Sequence, residues 1–331
     1  MNFIEKQYIP WKDFLNVASA CPLTNVMDIE FNLTNIKKCI NEALDKKVKY
    51  IIFPELSITS YSCGDLFLNN QLLNSSLNAI EELCSFLKDK DILVSVGSPF
   101  LYRNSLYNCA FIIHYGKILG IVPKSNICSS EQRWFSSGFK TRNEYVNTYF
   151  QENIPFGIDL IFQNENFKFS FVLGDEFNNP IPLSSYLSIE GANIIGNLSA
   201  SNELVGKSQK RRDFLKTTTQ RLSCGYIYSS CGVYESTTDL VYSGHLLIGE
   251  QGTLLKENKK FQRENEIIIS SIDVNRLILN RLKNNYLDEY SNLSPFNARI
   301  ITLVLTIYKI LFYIEALRNI LLYLMMKKII G

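Results

Sequence analysis

At 331 residues, 46% of them hydrophobic and 20% charged, the chain can bury one large core or two modest ones and reads as globular. Its 34 lysines and arginines are dispersed among 32 acids for a net charge of +2, which excludes the basic footprint of a nucleic-acid binder. Eight scattered cysteines without a C-x-x-C pair, and only two histidines, exclude a disulfide framework, a zinc module and a histidine-rich metal centre.

No apolar leader runs into a cleavage site after Met1-Asn-Phe-Ile-Glu-Lys-Gln, so a cytoplasmic protein with reduced thiols is expected. A first strand near Leu15–Ala20 precedes a helix whose apolar face is Ile36, Cys39, Ile40, Ala43 and Leu44. The next strand ends at Glu55. A second helix carries Leu73, Leu77, Ile80, Cys84 and Leu87 on one face and leads to strand Ile92–Gly97, completing two β-α units. Leu106–Ile113 and Lys117–Val122 form a hairpin around Tyr115-Gly116, where glycine lets the backbone reverse. Residues 125–159 read as loop.

Strands follow at Phe167–Leu173 and Ala192–Asn197, with Pro180-Ile-Pro182 starting a short helix between them. Lys207–Leu222 is helical, Gly225–Val233 a strand, and Gly244–Ile248 with Thr253–Lys256 a second hairpin. Ile267–Ile272 adds one more strand. The alternation predicts an α/β body of two mixed sheets packed together with helices outside. Two segments are expected, 1–275 as the domain and 276–331 as a helical tail. Its apolar part, Ile300–Leu324, is punctuated by Lys309, Glu315 and Arg318, so a helix packing on a partner is expected rather than a membrane span.

Three strands end in the same way. Val48-Lys-Tyr-Ile-Ile-Phe-Pro-Glu55 stops at a proline and presents a carboxylate, Ile118-Leu-Gly-Ile-Val-Pro-Lys124 presents an ammonium, and Phe167-Lys-Phe-Ser-Phe-Val-Leu-Gly174 runs into Asp175 and Glu176. Charged groups at strand ends are a recurring device of α/β sites. These ends are read as the walls of one site, against the plainer reading of solvated surface charges.

The residues then resemble a family. Phe53-Pro-Glu-Leu-Ser, Tyr61-Ser-Cys-Gly-Asp-Leu-Phe67, Leu106-Tyr-Asn-Cys-Ala110, Gly116–Lys124, Asn197-Leu-Ser-Ala-Ser-Asn-Glu203, Glu235-Ser-Thr-Thr-Asp-Leu-Val241, Ser243-Gly-His245 and Phe261-Gln-Arg-Glu264 follow in order. From about Val17 to Arg276 they are similar to the glutamine-hydrolysing domain of glutamine-dependent NAD synthetases, in the nitrilase (carbon–nitrogen hydrolase) superfamily. The resemblance implies a nitrilase-type four-layer α-β-β-α sandwich and a Glu–Lys–Cys triad. In such a triad a thiolate attacks the glutamine side-chain amide, the glutamate shuttles the proton and the lysine steadies the oxyanion. It gives Glu55 as base and Lys124 as oxyanion partner.

The nucleophile's position falls on Gly174, which has no side chain to acylate. Removing the nucleophile of a covalent hydrolase costs on the order of 10⁶ in turnover, so a catalytically impaired domain is expected. Asp175 then stands for a residue on the amide side of the pocket, or for a turn residue. Ser201 and Lys207 resemble residues that hold the amino-acid head, the alternative being a polar helix start. The family's pocket tyrosine and second glutamate, expected in a longer loop after Lys124, find no counterpart in Ser125–Gln132. Cys128, four residues beyond Lys124, is the candidate for a substitute nucleophile, but a different loop would need the attack geometry rebuilt. Cys63 and Cys109 read as core residues, and His245 as a hydrogen-bonded structural residue.

The resemblance also implies partners. Glutamine is the family's substrate, and a homo-oligomer and a separate synthetase subunit are expected associations. No cofactor is expected on this chain. ATP and magnesium would belong to a synthetase domain, whose phosphate-cradling glycine loop is found nowhere in the 331 residues. Ile314–Ile320 and Lys327–Gly331 resemble the helix and strand that lead to that loop. The alternative reading is a non-catalytic nitrilase-fold module for binding or assembly.

Overall fold

The computed structural model describes residues 14–305, except 165, 166, 285, 291 and 293. β1 (Phe14–Cys21), α1 (Ile29–Asp45), β2 (Tyr50–Ile52), α2 (Asn70–Leu87) and β3 (Leu93–Tyr102) open the chain, the three strands pairing in parallel. α1 starts where the Asp28 side chain accepts from the Phe31 N–H, and α2 where Asn69 accepts from Gln71. β4 (Ser105–His114) and β5 (Lys117–Pro123) form the expected antiparallel hairpin. The stretch read as loop contributes β6 (Glu144–Val146), at the edge of its sheet, and β7 (Ile154–Phe156) beside it, both short and with weak sequence signals.

The second half gives β8 (Leu160–Asn164), β9 (Phe167–Leu173), α3 (Leu183–Ile189), β10 (Ile194–Ser199), α4 (Lys207–Leu222), β11 (Gly225–Ser230), β12 (Leu246–Glu250), β13 (Thr253–Glu257) and β14 (Glu266–Asp273). After them come α5 (Val274–Asn284), α6 (Tyr286–Glu289) and β15 (Arg299–Thr302). One sheet has eight strands in the order β14-β1-β2-β3-β4-β5-β7-β6, the other seven in the order β13-β12-β11-β10-β9-β8-β15.

The period of two along each strand makes the layers. Leu15, Val17, Tyr50, Ile52 and Ile112 meet Phe169, Phe171, Ile194 and Ile227 between the two sheets. Their neighbours Ala18, Ala20, Ile51, Val94 and Val96 face Ile36, Ile40, Ile80 and Leu83 of α1 and α2. On the far side, Val172, Ile195 and Tyr226 pack with Leu187 of α3 and Leu215 of α4. The expected four-layer α-β-β-α sandwich therefore forms. Among the described residues no helix is long and apolar enough to cross a membrane.

The C-terminal part differs from expectation. Helices α5 and α6 form, but Arg299–Thr302, inside the stretch expected to be a helical tail, is a strand paired in parallel with β8. It is anchored by the Arg299 guanidinium, which donates to both Asp159 carboxylate oxygens at 2.8 Å and to the Glu144 and Phe156 carbonyls. The expected boundary at 275/276 falls inside α5, whose Val274 and Leu277 are buried in the inter-sheet core with Leu303 and Leu305. The helical tail is thus integrated with the body as far as residue 305. The apolar run 306–324 and the segment 327–331 lie outside the described residues.

Candidate active site

Glu55, Lys124 and Gly174 each follow the last residues of a strand, β2, β5 and β9. Pro54 cannot donate to a ladder and the chain turns down onto β3. An added Cβ at Gly97 would lie 2.2 Å from the Leu56 nitrogen and 2.5 Å from the Pro54 oxygen, so only glycine there admits the turn. Main-chain bonds fix the three ends. The Glu55 N–H donates to the Ser199 carbonyl at 3.3 Å, Gly174 to Leu198 at 2.9 Å, and Lys124 to Asn108 at 2.8 Å. The first of these joins the two sheets at the site.

The side chains converge. Lys124 Nζ donates to Glu55 Oε2 at 2.7 Å, and Asn108 Nδ2 donates to the same oxygen at 2.6 Å. An added Cβ at Gly174 would lie 2.7 Å from Lys124 Cε, 3.2 Å from its Nζ and 3.9 Å from Glu55 Oε1. Glu55 and Lys124 are both buried, and Glu55 Oε1 has no hydrogen-bond partner among the described residues. A carboxylate, an ammonium and a side-chain-free position therefore share one small hollow. Gly174 has φ of +90°, a left-handed conformation that favours glycine.

A second carboxylate was not foreseen. Lys124 Nζ also donates to Glu131 Oε1 at 2.9 Å, and the Tyr61 hydroxyl donates to that oxygen at 3.1 Å. An acid and a tyrosine thus stand beside Lys124 that the sequence reading of Ser125–Gln132 had not identified. Glu131 is 2% exposed, too buried for an incidental surface acid. The available signal was its place just before Gln132-Arg133-Trp134-Phe135. Tyr61 is aimed by Glu235, whose buried carboxylate accepts from the Tyr61 and Ser62 N–H groups at 2.9 Å and from the Ser60 and Ser62 hydroxyls.

One ammonium between two carboxylates splits their behaviour. Burial pushes the Glu55 carboxyl up to about 7 against the pull of Lys124, with Glu131 adding to the rise. Glu131 is lowered: burial would raise it, but Lys124 and the Cys128 donors prevail. Burial opposes the Lys124 charge, yet the two carboxylates hold its pKa above the ordinary lysine value. Glu131 keeps the charge, and Glu55 is left able to exchange a proton near neutrality, the property of a general base.

The other expected residues are placed differently. Asp175 accepts from Lys207 Nζ at 2.9 Å, and Lys207 also donates to Asn202 at 2.7 Å. Ser201 accepts from Arg211 Nη1 at 3.2 Å within a buried network. There Arg211 Nε donates to His245 Nδ1 at 2.9 Å, Nη2 donates to Glu203, and His245 Nε2 faces Glu257 at 2.8 Å. Burial first lowers the His245 pKa to about 4, consistent with a neutral structural histidine. Ser201 and Lys207 thus belong to two neighbouring contacts and neither touches Glu55 or Lys124 in the hydrogen bonds described.

Cys128 lies on the Glu131 loop, its thiol donating to Glu131 Oε2 at 3.1 Å. Burial, then Glu131, raises its pKa. All eight thiols are raised, burial being the first cause in each. Cys63 and Cys109 are buried, as core residues should be.

A two-sheet sandwich with a buried glutamate and lysine meeting beyond the ends of β2 and β5 defines a class. Residues 16–279 match the carbon-nitrogen hydrolase family, and the chain belongs to it. Within that family it is similar to the glutamine-dependent NAD(+) synthetase of Mycobacterium tuberculosis (strain H37Rv), 30% identical over 284 residues that cover 83% of this chain and 41% of the relative. The Rattus norvegicus enzyme of the same name is 27% identical, covering 78% of this chain and 37% of its own. A crystal structure of a glutamine-dependent NAD(+) synthetase from Cytophaga hutchinsonii has a TM-score of 0.69 at 27% identity, over 78% of this chain and 43% of that one. The Nesterenkonia AN1 amidase, of the nitrilase superfamily, shares the fold at 14% identity and a TM-score of 0.64, over 84% of this chain and 99% of its own. The chain spans about two fifths of the length of the synthetase relatives it matches.

Proposed function

We propose that this chain is a glutaminase-type domain of NAD synthetase lineage in which amide hydrolysis has been lost at Gly174. The observation that carries the reading is position 174 itself. A side chain there would point at both Lys124 and Glu55 Oε1, as a nucleophile between its base and its oxyanion partner must. With glycine, no atom is available to form the acyl bond. The raised pKa of every thiol weighs against a substitute, because the thiolate is the reactive form. On this reading glutamine is the ancestral ligand, and ATP- and magnesium-dependent amidation belongs to a synthetase partner rather than to these residues.

The test is ammonia release from glutamine by the purified chain, with an expected rate no higher than a heat-inactivated control. Turnover that Glu55→Ala abolishes and Cys128→Ala spares would overturn the reading. Gly174→Cys is the companion variant. A glutamine-derived thioester on it, seen by intact mass, is the result expected of an emptied amidase site.

A second reading is favoured by the cavity beside Glu131, which is lined by Tyr61, Trp134 and Tyr242. It is a nitrilase-fold module that holds a ligand, or assembles with itself or with a separate synthetase subunit, without chemistry. A folded Gly174→Cys variant that forms no adduct would favour it.

A further inference from the structure

The segment Gly174–Pro182 joins β9 to α3 and is tied to the rest of the chain by few groups. Between Asp175 and Ile181 its main-chain bonds run within the segment, the Glu176 N–H donating to the Gly174 carbonyl at 3.1 Å, Asn178 to Asp175 at 3.1 Å and Asn179 to Glu176 at 3.0 Å. Pro180 and Pro182 have no N–H to give. Among the described residues, its side-chain hydrogen bonds are those of Asp175, with Lys207 and Ser199, and those of Glu176.

Glu176 is the buried tie. It is 1% exposed, and both of its carboxylate oxygens accept from the Ser184 N–H at 3.3 Å, where α3 begins. Glu55 has an ammonium at 2.7 Å, whereas among the described residues no ion pair reaches Glu176. The titratable group that faces it is Tyr226 of β11, also buried, whose hydroxyl accepts from Asn197 Nδ2 at 2.8 Å. Its chain neighbour Asp175 is turned to Lys207 at 2.9 Å. Burial pushes the Glu176 carboxyl up to about 7, with the Ser184 and Leu183 donors pulling the other way. A carboxylate with no cation is costly to keep out of water, and the seated form is the neutral one.

We propose that Glu176 is a proton-operated latch: neutral, it stays seated at Ser184 and holds the segment to α3; ionised, it gives its proton to solvent, leaves for water, and the segment opens beside Lys124 and Glu55. The proposal stands whether or not position 174 ever carried a nucleophile. Its sign follows from the seated carboxyl titrating above the ordinary value of 4.5. The closed segment is favoured at low pH, and that preference is lost as pH rises from about 4.5 through 7.

Hydrogen exchange of the full chain, read by mass spectrometry from pH 5 to 8 and divided by the intrinsic exchange rate at each pH, tests it. Protection of peptides spanning 174–183 should fall by about tenfold or more between pH 5 and 7 and level off above. At pH 8 the segment should exchange at least about tenfold faster than α1 and β3, as a local opening must. Glu176→Gln keeps the shape of the neutral carboxyl and should retain its pH 5 protection throughout. Equal protection of the parental segment at pH 5 and 8, or exchange no faster than that of α1 and β3, would overturn the proposal without any variant. So would a Glu176→Gln chain that shows the parental fall.

Discussion

Two of the buried charged clusters among the described residues, around Arg211 and around Lys124, differ in how completely they are satisfied. Around Arg211, every buried donor and acceptor of the network with Ser201, Glu203, His245 and Glu257 has a partner. Around Lys124, Glu55 Oε1 and Asn108 Oδ1 have none among the described residues. Buried polar atoms are almost always paired, because an orphan forfeits hydration without compensation. The Arg211 cluster is complete in itself and behaves as scaffold. The Lys124 cluster leaves two buried acceptors unpaired among the described residues, which sets it apart from the Arg211 cluster.

Removing each central cation tests that contrast most severely. Arg211→Met should destabilise the fold by about 3–5 kcal/mol, because Glu203 loses its buried partner and His245 its donor; chemical denaturation measures this. Lys124→Met should be nearly as severe at pH 7.5, about 3 kcal/mol, but much milder at pH 5, where Glu55 and Glu131 escape repulsion by protonation. Equal losses at both pH values would remove the distinction between the clusters.

Glu55→Gln sharpens it in the opposite direction. The Glu55 carboxyl is held up to about 7 by burial, so the folded chain binds a proton that the unfolded chain releases above about 4.5. Stability from this group is therefore greatest at low pH and falls as pH rises from about 4.5 through 7. The glutamine variant should exceed the parent by on the order of 1–3 kcal/mol at pH 8 and match it at pH 5. Stabilisation by removing a site residue would mark that residue as kept for something other than folding. The smallest effect is expected from Cys128→Ser, less than about 1 kcal/mol, since a hydroxyl can donate to Glu131 as the thiol does.

Much of this was legible in the sequence. Apolar alternation places the strands, and a proline or glycine at a strand end marks Glu55, Lys124 and Gly174 because those residues break a ladder wherever they fall. Glu131 was hidden by loop length: a short connection of Ser, Cys and Glu carries no period, and its burial depends on Tyr61, 70 residues away. The Arg211 network was hidden for a related reason. On a helix reading Lys207-Ser-Gln-Lys-Arg-Arg-Asp213, one arginine inside looks like its solvated neighbours. β15 was misread because Ile300–Thr302 joins an apolar run, and only pairing with β8 and the Asp159 contact to Arg299 make it extended.

The bonds from the Glu55 and Gly174 amides to β10 are made by main chain, and no side-chain change at the site removes them. A descendant freed from any demand to hydrolyse amides would go on holding these positions at working separation for as long as it folded. Spacing alone would then outlast the chemistry it once served. What would report on present use is the residue types that fill that spacing, and position 174 is a glycine.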